Sequence, residues 1–448
     1  MSVTKITVQA VRLCLLLFCA TAYAQTPVTS YKFDFGPGKV QAGFTQVLPG
    51  TAYTPARGYG FYGNAPVEGV DRGGRDALRS DYCTSAQPFF FTVRLPEGNY
   101  NIVVTTGDAA GESVTTIKAE CRRLMVEKVR TDKGRFQTSL FTVHVRDTLI
   151  RGTGTSVRVK PREKNYLHWD DQLTLEFNNT QPKVCAVEIT PAGTIPTLFL
   201  AGNSTVVDQA EEPWAAWGQM IPAFFEPGKI AVANYAESGE TISSFIAERR
   251  LQKVLGLMKP GDFLFIEFAH NDQKQKGEGI GPFTSYKHDL KFAIAEARKK
   301  GGIPVLVTSM NRRSFDSSGK ITNTLGDYPA AMRQTAEEEH VALIDLNAMS
   351  KLLYEAWGPE QSVKAFVHYP ANTFPGQDKE LKDNTHFNGY GAWEITRCIV
   401  QAIQTNRIPL ARYLKTNIPF FDPTHPDPPS SWQLPASPFI ISTKPDGN

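Results

Sequence analysis

The chain has 448 residues, a formal net charge of +3, and is 41% hydrophobic and 21% charged. That length exceeds what one hydrophobic core ordinarily organises, so two domains are expected. Acids and bases are interspersed, which gives no electrostatic case for nucleic acid or an anionic membrane as a partner.

The first residues read as an export signal. Lys5 and Arg12 form a basic start, Leu13 to Ala20 is a short apolar run, and Ala22-Tyr23-Ala24 offers a small-residue cleavage site before Gln25. The run is shorter than the ~18 residues of a membrane span. Residues 1–24 are therefore expected to be a signal peptide, and the mature protein to be periplasmic or extracellular. Cys14 and Cys19 would leave with it. Cys83, Cys121, Cys185 and Cys398 remain. In an exported protein they are either disulfides or buried thiols. Their wide spacing, without a C-x-x-C pair, argues against a thiolate metal site.

Residues 30–191 read as an all-β sandwich. Short alternating or apolar segments recur at Tyr31–Phe35, Phe89–Val93, Tyr100–Val104, Phe141–Val145, Leu173–Phe177 and Val184–Ile189, separated by turns such as Pro96-Glu97-Gly98-Asn99. Tyr53, Tyr59, Phe61 and Tyr62 form an aromatic cluster that fits core packing as well as stacking on a sugar.

From residue 197 to about 410 the rhythm changes. Apolar runs at Thr197–Ala201, Ile230–Asn234, Asp262–Phe268, Ile303–Ser309 and Val341–Leu346 alternate with helical patterns near 213–225, 242–258, 285–300 and 327–340, and a last helix from about Gly389 to Thr405. Near-continuous apolar strands alternating with helices predict a parallel sheet covered on both faces. Residues 411–448 are rich in proline yet carry Phe420, Phe421, Trp432 and Phe439. They read as an extended strap packed back on the protein.

Parallel α/β sheets carry their ligand sites at the carboxyl ends of the strands. Past the first strand come Gly202-Asn203-Ser204, past the second Ser238-Gly239, past the third His270-Asn271-Asp272, and before the last helix Asp383-x-x-His386. A serine, a histidine, a carboxylate and amide donors are the inventory of a serine hydrolase. Each has a plainer reading. Ser204 fits a helix N-cap, Asn271 a turn residue, Gly239 a turn, and Asp383 a cap of the last helix. Asp383 on a loop or helix start can reach the same imidazole at Nδ1 and fix its tautomer. Glu211-Glu212 fits a solvated helix start, and Trp214 and Trp217 fit the core. No Walker loop, H-E-x-x-H or dinucleotide fingerprint is present, and Ser238 lacks the G-x-S-x-G context of an α/β-hydrolase elbow.

These four blocks, in this order, resemble the SGNH (GDSL-like) hydrolases. "GNSTVVDQ", "AHNDQ" and "NTHFNGYGA" look most like the rhamnogalacturonan acetylesterase branch, over about residues 197–410. The N-terminal part more weakly resembles galactose-binding-like modules. The resemblance implies an α/β, flavodoxin-like hydrolase domain preceded by the all-β sandwich. It implies Ser204 as nucleophile, His386 as general base then acid, and Asp383 as its orienting partner. The amides of Ser204 and Gly239, with the Asn271 side chain, would form the oxyanion hole. No metal or organic cofactor is called for. The expected substrate is an acetylated plant cell-wall polysaccharide or oligosaccharide, rhamnogalacturonan first and xylan as the alternative. Asn203 departs from the family, where Asp is usual. A polysaccharide-binding protein with an impaired catalytic centre is the rival reading that this residue leaves open.

Overall fold

The computed structural model describes residues 29–441 and 444–446. The signal-peptide reading, with Cys14 and Cys19, falls outside the described residues.

In the N-terminal part, strand alternation builds two facing sheets. Along Gly98–Asp108, Tyr100, Ile102 and Val104 are buried while their neighbours are partly exposed, as the two-residue period of a pleated strand requires. One sheet orders Arg135–Val145, Gly98–Asp108, Lys183–Pro191, Tyr31–Phe35 and Thr45–Val47, with Asp81–Thr84 and Glu68–Asp71 attached beside Lys183–Pro191. The other orders Tyr59–Tyr62, Phe89–Arg94, Gln172–Asn178, Ser113–Ala119 and Arg123–Thr131. Between them Phe33 and Phe35 meet Phe91 edge-on at centroid distances of 5.0 and 4.8 Å, a preferred aromatic geometry. The aromatic cluster divides. Phe61 is in this core and Tyr59 packs on Phe33, whereas Tyr62 is exposed.

The second part is a five-stranded parallel sheet in the order Ala231–Asn234, Thr197–Gly202, Phe263–Glu267, Ile303–Val307, Ala342–Ile344. In chain order this is 2-1-3-4-5, so the order reverses beside the strand Thr197–Gly202. That is where a flavodoxin-like sheet opens its crevice. Buried clusters cover both faces.

Several expected helices differ. The one expected near 213–225 shrinks to Trp217–Met220 followed by a 3-10 turn, Ile221–Phe224, because Pro222 donates no backbone N–H. The one expected over 242–258 is two helices, Ile242–Ala247 and Arg250–Leu257, broken at Arg249 in the left-handed region. The helix Leu346–Gln361 and the strand pair Phe366–Tyr369 and Leu381–Phe387 were not expected. Glu211-Glu212 starts no helix. Glu212 pairs with Arg122 at 2.5 Å, and its N–H donates to the Phe439 carbonyl. Trp214 and Trp217 are buried. Cys83, Cys121, Cys185 and Cys398 are buried free thiols.

The C-terminal strap ties the two parts together. Trp432 stacks on Trp393 at 4.7 Å, Ser437 donates to Glu176, and Lys118 donates to the Pro435 carbonyl. Phe420 stays in solvent. The two parts also meet through buried charge. Glu163, in the N-terminal turn Pro161–Asn165, accepts a two-pronged hydrogen bond from Arg250, and neither side chain is exposed. Breaking such a pair strands the other charge, at a cost of about 3–5 kcal/mol. Arg250→Met is expected to lower the urea unfolding free energy by about 3 kcal/mol, and Glu163→Gln/Arg250→Met to recover most of it. Equal losses in the two proteins would contradict this account.

Candidate active site

The strand Thr197–Gly202 delivers the turn that holds Ser204. A Cβ at Gly202 would lie 2.4 Å from Val206 Cγ2 and 3.0 Å from the Glu267 carbonyl, so only glycine fits there. The turn then closes on Asn203, whose carbonyl accepts from the N–H groups of Val206 and Val207, both at 3.0 Å. No helix follows, since the next one begins at Trp217. Ser204 therefore caps nothing, and its Oγ is directed elsewhere.

That Oγ lies 2.8 Å from His386 Nε2, and His386 Nδ1 lies 2.7 Å from Asp383 Oδ2. All three residues are buried. Asp383 and His386 sit in the strand Leu381–Phe387, not on a loop or helix start as expected. The strand places them because Asp383 Oδ1 turns back to accept the N–H groups of Thr385 (2.8 Å) and His386 (3.0 Å). The helix Gly389–Thr405 is capped by Asn388, not by Asp383. The strand is anchored by Ala215, whose N–H donates to the Phe387 carbonyl at 2.8 Å. Burial opposes ionisation of Asp383, yet its hydrogen bond and charge interaction with His386, together with the two backbone N–H groups, hold its carboxyl well below the usual carboxylate range. An ionised Asp383 keeps the hydrogen on Nδ1 and leaves Nε2 to accept from the serine.

Gly239 and Asn271 come together on the neighbouring loops. The loop after the strand Ala231–Asn234 is tied to the strand Thr197–Gly202 by Glu237, whose N–H donates to the Gly202 carbonyl at 3.2 Å. Asn271 Nδ2 donates to the Glu240 carbonyl at 3.1 Å, which spends one of its two hydrogens beside Gly239. Its Oδ1 accepts from Lys274 Nζ at 3.3 Å. Asn271 therefore does not bond its own backbone. Its neighbour Asp272 accepts from the Ile242 N–H at 2.9 Å, and burial pushes its carboxyl up to about 7. The strap reaches this region too. Lys444 Nζ is 3.7 Å from Asp383, and Asp446 lies against Gly239.

Asn203 has a visible task. Its Oδ1 accepts from the Thr205 N–H (3.1 Å) and hydroxyl (2.9 Å), while its Nδ2 finds no acceptor among the described residues. Holding the turn needs one acceptor oxygen, which Asn supplies as Asp would.

Below the turn lies Glu267, which the sequence did not single out. It accepts from Trp217 Nε1 (2.7 Å) and Ser309 (2.9 Å), and lies 3.1 Å from the Thr205 hydroxyl, whose single hydrogen it shares with Asn203. Burial pushes its carboxyl up to about 7, against an ordinary value of 4.5. The folded protein therefore binds more protons at this residue than the unfolded chain between those values, and stability falls as pH rises through that window. The contribution is at most about 3 kcal/mol. Melting temperatures between pH 5 and 7.5 are expected to fall less steeply in Glu267→Gln than in the parent. An unchanged slope would remove Glu267 from this account.

Among the described residues, one group, Glu163, His168 and Glu237, brings potential metal-ligand atoms within 4.8 Å of one another. The Arg250 guanidinium already pairs with Glu163 there, and supplies the positive charge that this carboxylate needs.

Comparison with known proteins agrees with this architecture. A β-agarase/YXIM esterase-like, galactose-binding domain-like family model matches residues 31–140, and the GDSL-like lipase/acylhydrolase family model matches residues 200–393. The rhamnogalacturonan acetylesterase RhgT of Bacillus subtilis (strain 168) is 42% identical over 219 residues, which cover 48% of this chain and 93% of that protein. The uncharacterized esterase YxiM of the same organism is 26% identical over 388 residues, 84% of this chain and 91% of that protein. The crystal structure of the Bacillus subtilis YxiM protein aligns with a TM-score of 0.44 at 26% identity, covering 85% of this chain and 99% of that one. The matched hydrolase segment contains the Ser204 turn, the loops of Gly239 and Asn271 and the Asp383–His386 strand, so the chain belongs to the GDSL-like lipase/acylhydrolase family and joins that hydrolase domain to a galactose-binding-like β domain.

Proposed function

We propose that the protein is an exported carbohydrate acetylesterase that removes acetyl groups from rhamnogalacturonan by a Ser-His-Asp acyl-enzyme route. The observation that carries the reading is the hydrogen-bonded relay from Ser204 through His386 to Asp383, at 2.8 and 2.7 Å. The 42% identity to a rhamnogalacturonan acetylesterase supports the choice of substrate.

Ser204 Oγ attacks the acetyl carbonyl carbon and passes its proton to His386 Nε2. Asp383 stabilises the imidazolium that forms. The negative charge on the carbonyl oxygen is met by the N–H groups of Ser204 and Gly239 and the amide of Asn271. These are neutral donors held in place before the reaction. The tetrahedral species collapses, and the sugar hydroxyl leaves with the proton from His386. Water then attacks the acetyl carbon while giving one proton to His386, and the new tetrahedral species collapses by breaking the bond to Ser204 Oγ, which takes that proton back. Acetate departs. No step calls for a metal or organic cofactor. Residues 1–24 carry the export part of the proposal.

Acetate release from acetylated rhamnogalacturonan, beside acetylated xylan, tests the reading with the purified protein and Ser204→Ala. Serine-dependent release that favours the pectic polymer is expected. Preference for xylan would replace the substrate. No serine-dependent release from either would favour the impaired sugar-binding alternative.

A further inference from the structure

The peptide between Ser238 and Gly239 is gripped from the other half of the molecule. Its carbonyl accepts from Lys160 Nζ at 2.5 Å and from Arg162 Nη2 at 2.9 Å. Both cations flank Pro161 in the N-terminal part. Lys160 also pairs with Glu240 and Arg162 with Glu237, each at 2.6 Å, so the two cations bracket the peptide through the residues on either side. Arg162 makes a further pair with Asp446 of the strap. The turn itself is anchored by Glu163, whose carboxylate accepts from the Lys160 N–H (2.7 Å), Trp169 Nε1 (2.8 Å) and Arg250.

In a trans peptide the carbonyl and the N–H point in opposite directions. Drawing the Ser238 carbonyl toward Lys160 and Arg162 sends the Gly239 N–H the opposite way, where no described residue accepts it. Gly239 has φ +83°. Without a Cβ, glycine tolerates either orientation of that peptide, so local sterics do not select one. Two charge-assisted hydrogen bonds on the carbonyl do.

We infer that Lys160 and Arg162 are positioning residues that aim the Gly239 N–H at the developing oxyanion, so that the N-terminal domain completes the active site of the C-terminal one. This rests on the acyl-enzyme reading above. The β domain is then part of the catalytic unit, whatever it does toward a polymer.

The test uses the full chain with 4-nitrophenyl acetate, a small ester that needs no polymer binding. Activity of the parent that does not depend on Ser204 would overturn the esterase reading and this inference with it. Given that activity, Lys160→Met/Arg162→Met is expected to lower kcat about 100-fold while KM stays within about twofold. Affinity for a boronic acid, whose tetrahedral adduct on Ser204 puts an oxygen in the same position, is expected to fall by the same factor as kcat. Arg162→Lys, which keeps a charged donor, is expected to stay within about tenfold of the parent. Should the double variant not fold, Arg162→Met/Glu237→Gln, which neutralises both members of one pair, decides by the same readouts. Parent-like kcat in a folded variant, or lost kcat with unchanged boronate affinity, would overturn the inference.

Discussion

Ser204→Ala is expected to reduce ester hydrolysis by about 10⁵-fold or more while leaving the fold intact. Among the described residues, the lost Oγ makes one hydrogen bond, to His386. The backbone that shapes the turn is held by other groups, since the Ser204 carbonyl accepts from Gln209 Nε2 and the Asn203 carbonyl from Val206 and Val207. The melting temperature should therefore stay close to that of the parent, and activity alone should fall. Labelling by a serine-directed phosphonate should be lost in the same variant. A Ser204→Ala protein that retained a substantial part of the parent kcat would remove Ser204 from the nucleophile role.

Asp383→Asn is expected to lower kcat by about 10⁴-fold. The structure makes the reason specific. Asp383 Oδ1 accepts two backbone N–H groups, and Oδ2 receives the imidazole Nδ1. An asparagine keeps its oxygen toward the two N–H groups and turns its NH₂ toward the ring. Nδ1 must then accept, the ring hydrogen moves to Nε2, and Nε2 no longer takes the serine proton. The variant should fold, bind a boronic acid weakly and lose kcat far more than KM. Activity close to that of the parent would show that Asp383 orients the strand without fixing the tautomer.

Much of the architecture was legible because its signals are local. Thr197–Gly202, Ile303–Val307 and their companion runs are strands because continuous β-branched and apolar residues suit a sheet buried on both faces. The helix Gly389–Thr405 starts where Asn388 supplies a cap and continues on a helical period. The differences between sequence and structure also have physical causes. The pattern over 242–258 contains two helices because Arg249 adopts a left-handed conformation, which apolar spacing does not register. The strand Leu381–Phe387 carries the pattern of a loop and helix start, and it is a strand because its backbone pairs with Phe366–Tyr369, a partner that local pattern does not reveal. The helix Leu346–Gln361 did carry a usable signal, since Leu346, Ser350, Leu353, Tyr354 and Trp357 repeat on one face.

By itself the sequence determined the order of the two parts, the alternation of strand and helix in the second, and which residue types stand at the strand ends. Those properties follow from side-chain period, turn chemistry and family motif. Tertiary structure decided how they meet. It brought Ser204 and His386 into hydrogen-bond contact across the chain, gave Asn203 a turn-holding task that one oxygen fulfils, and buried Glu267 beneath the Ser204 turn. It also set Lys160 and Arg162, two cations flanking Pro161 that no sequence motif marks, on the carbonyl of Ser238. The physical reason is that periodicity records which face of an element is buried. Long-range pairing of charges and carbonyls depends on which buried faces fit together, and that is specified only once both domains are folded against each other.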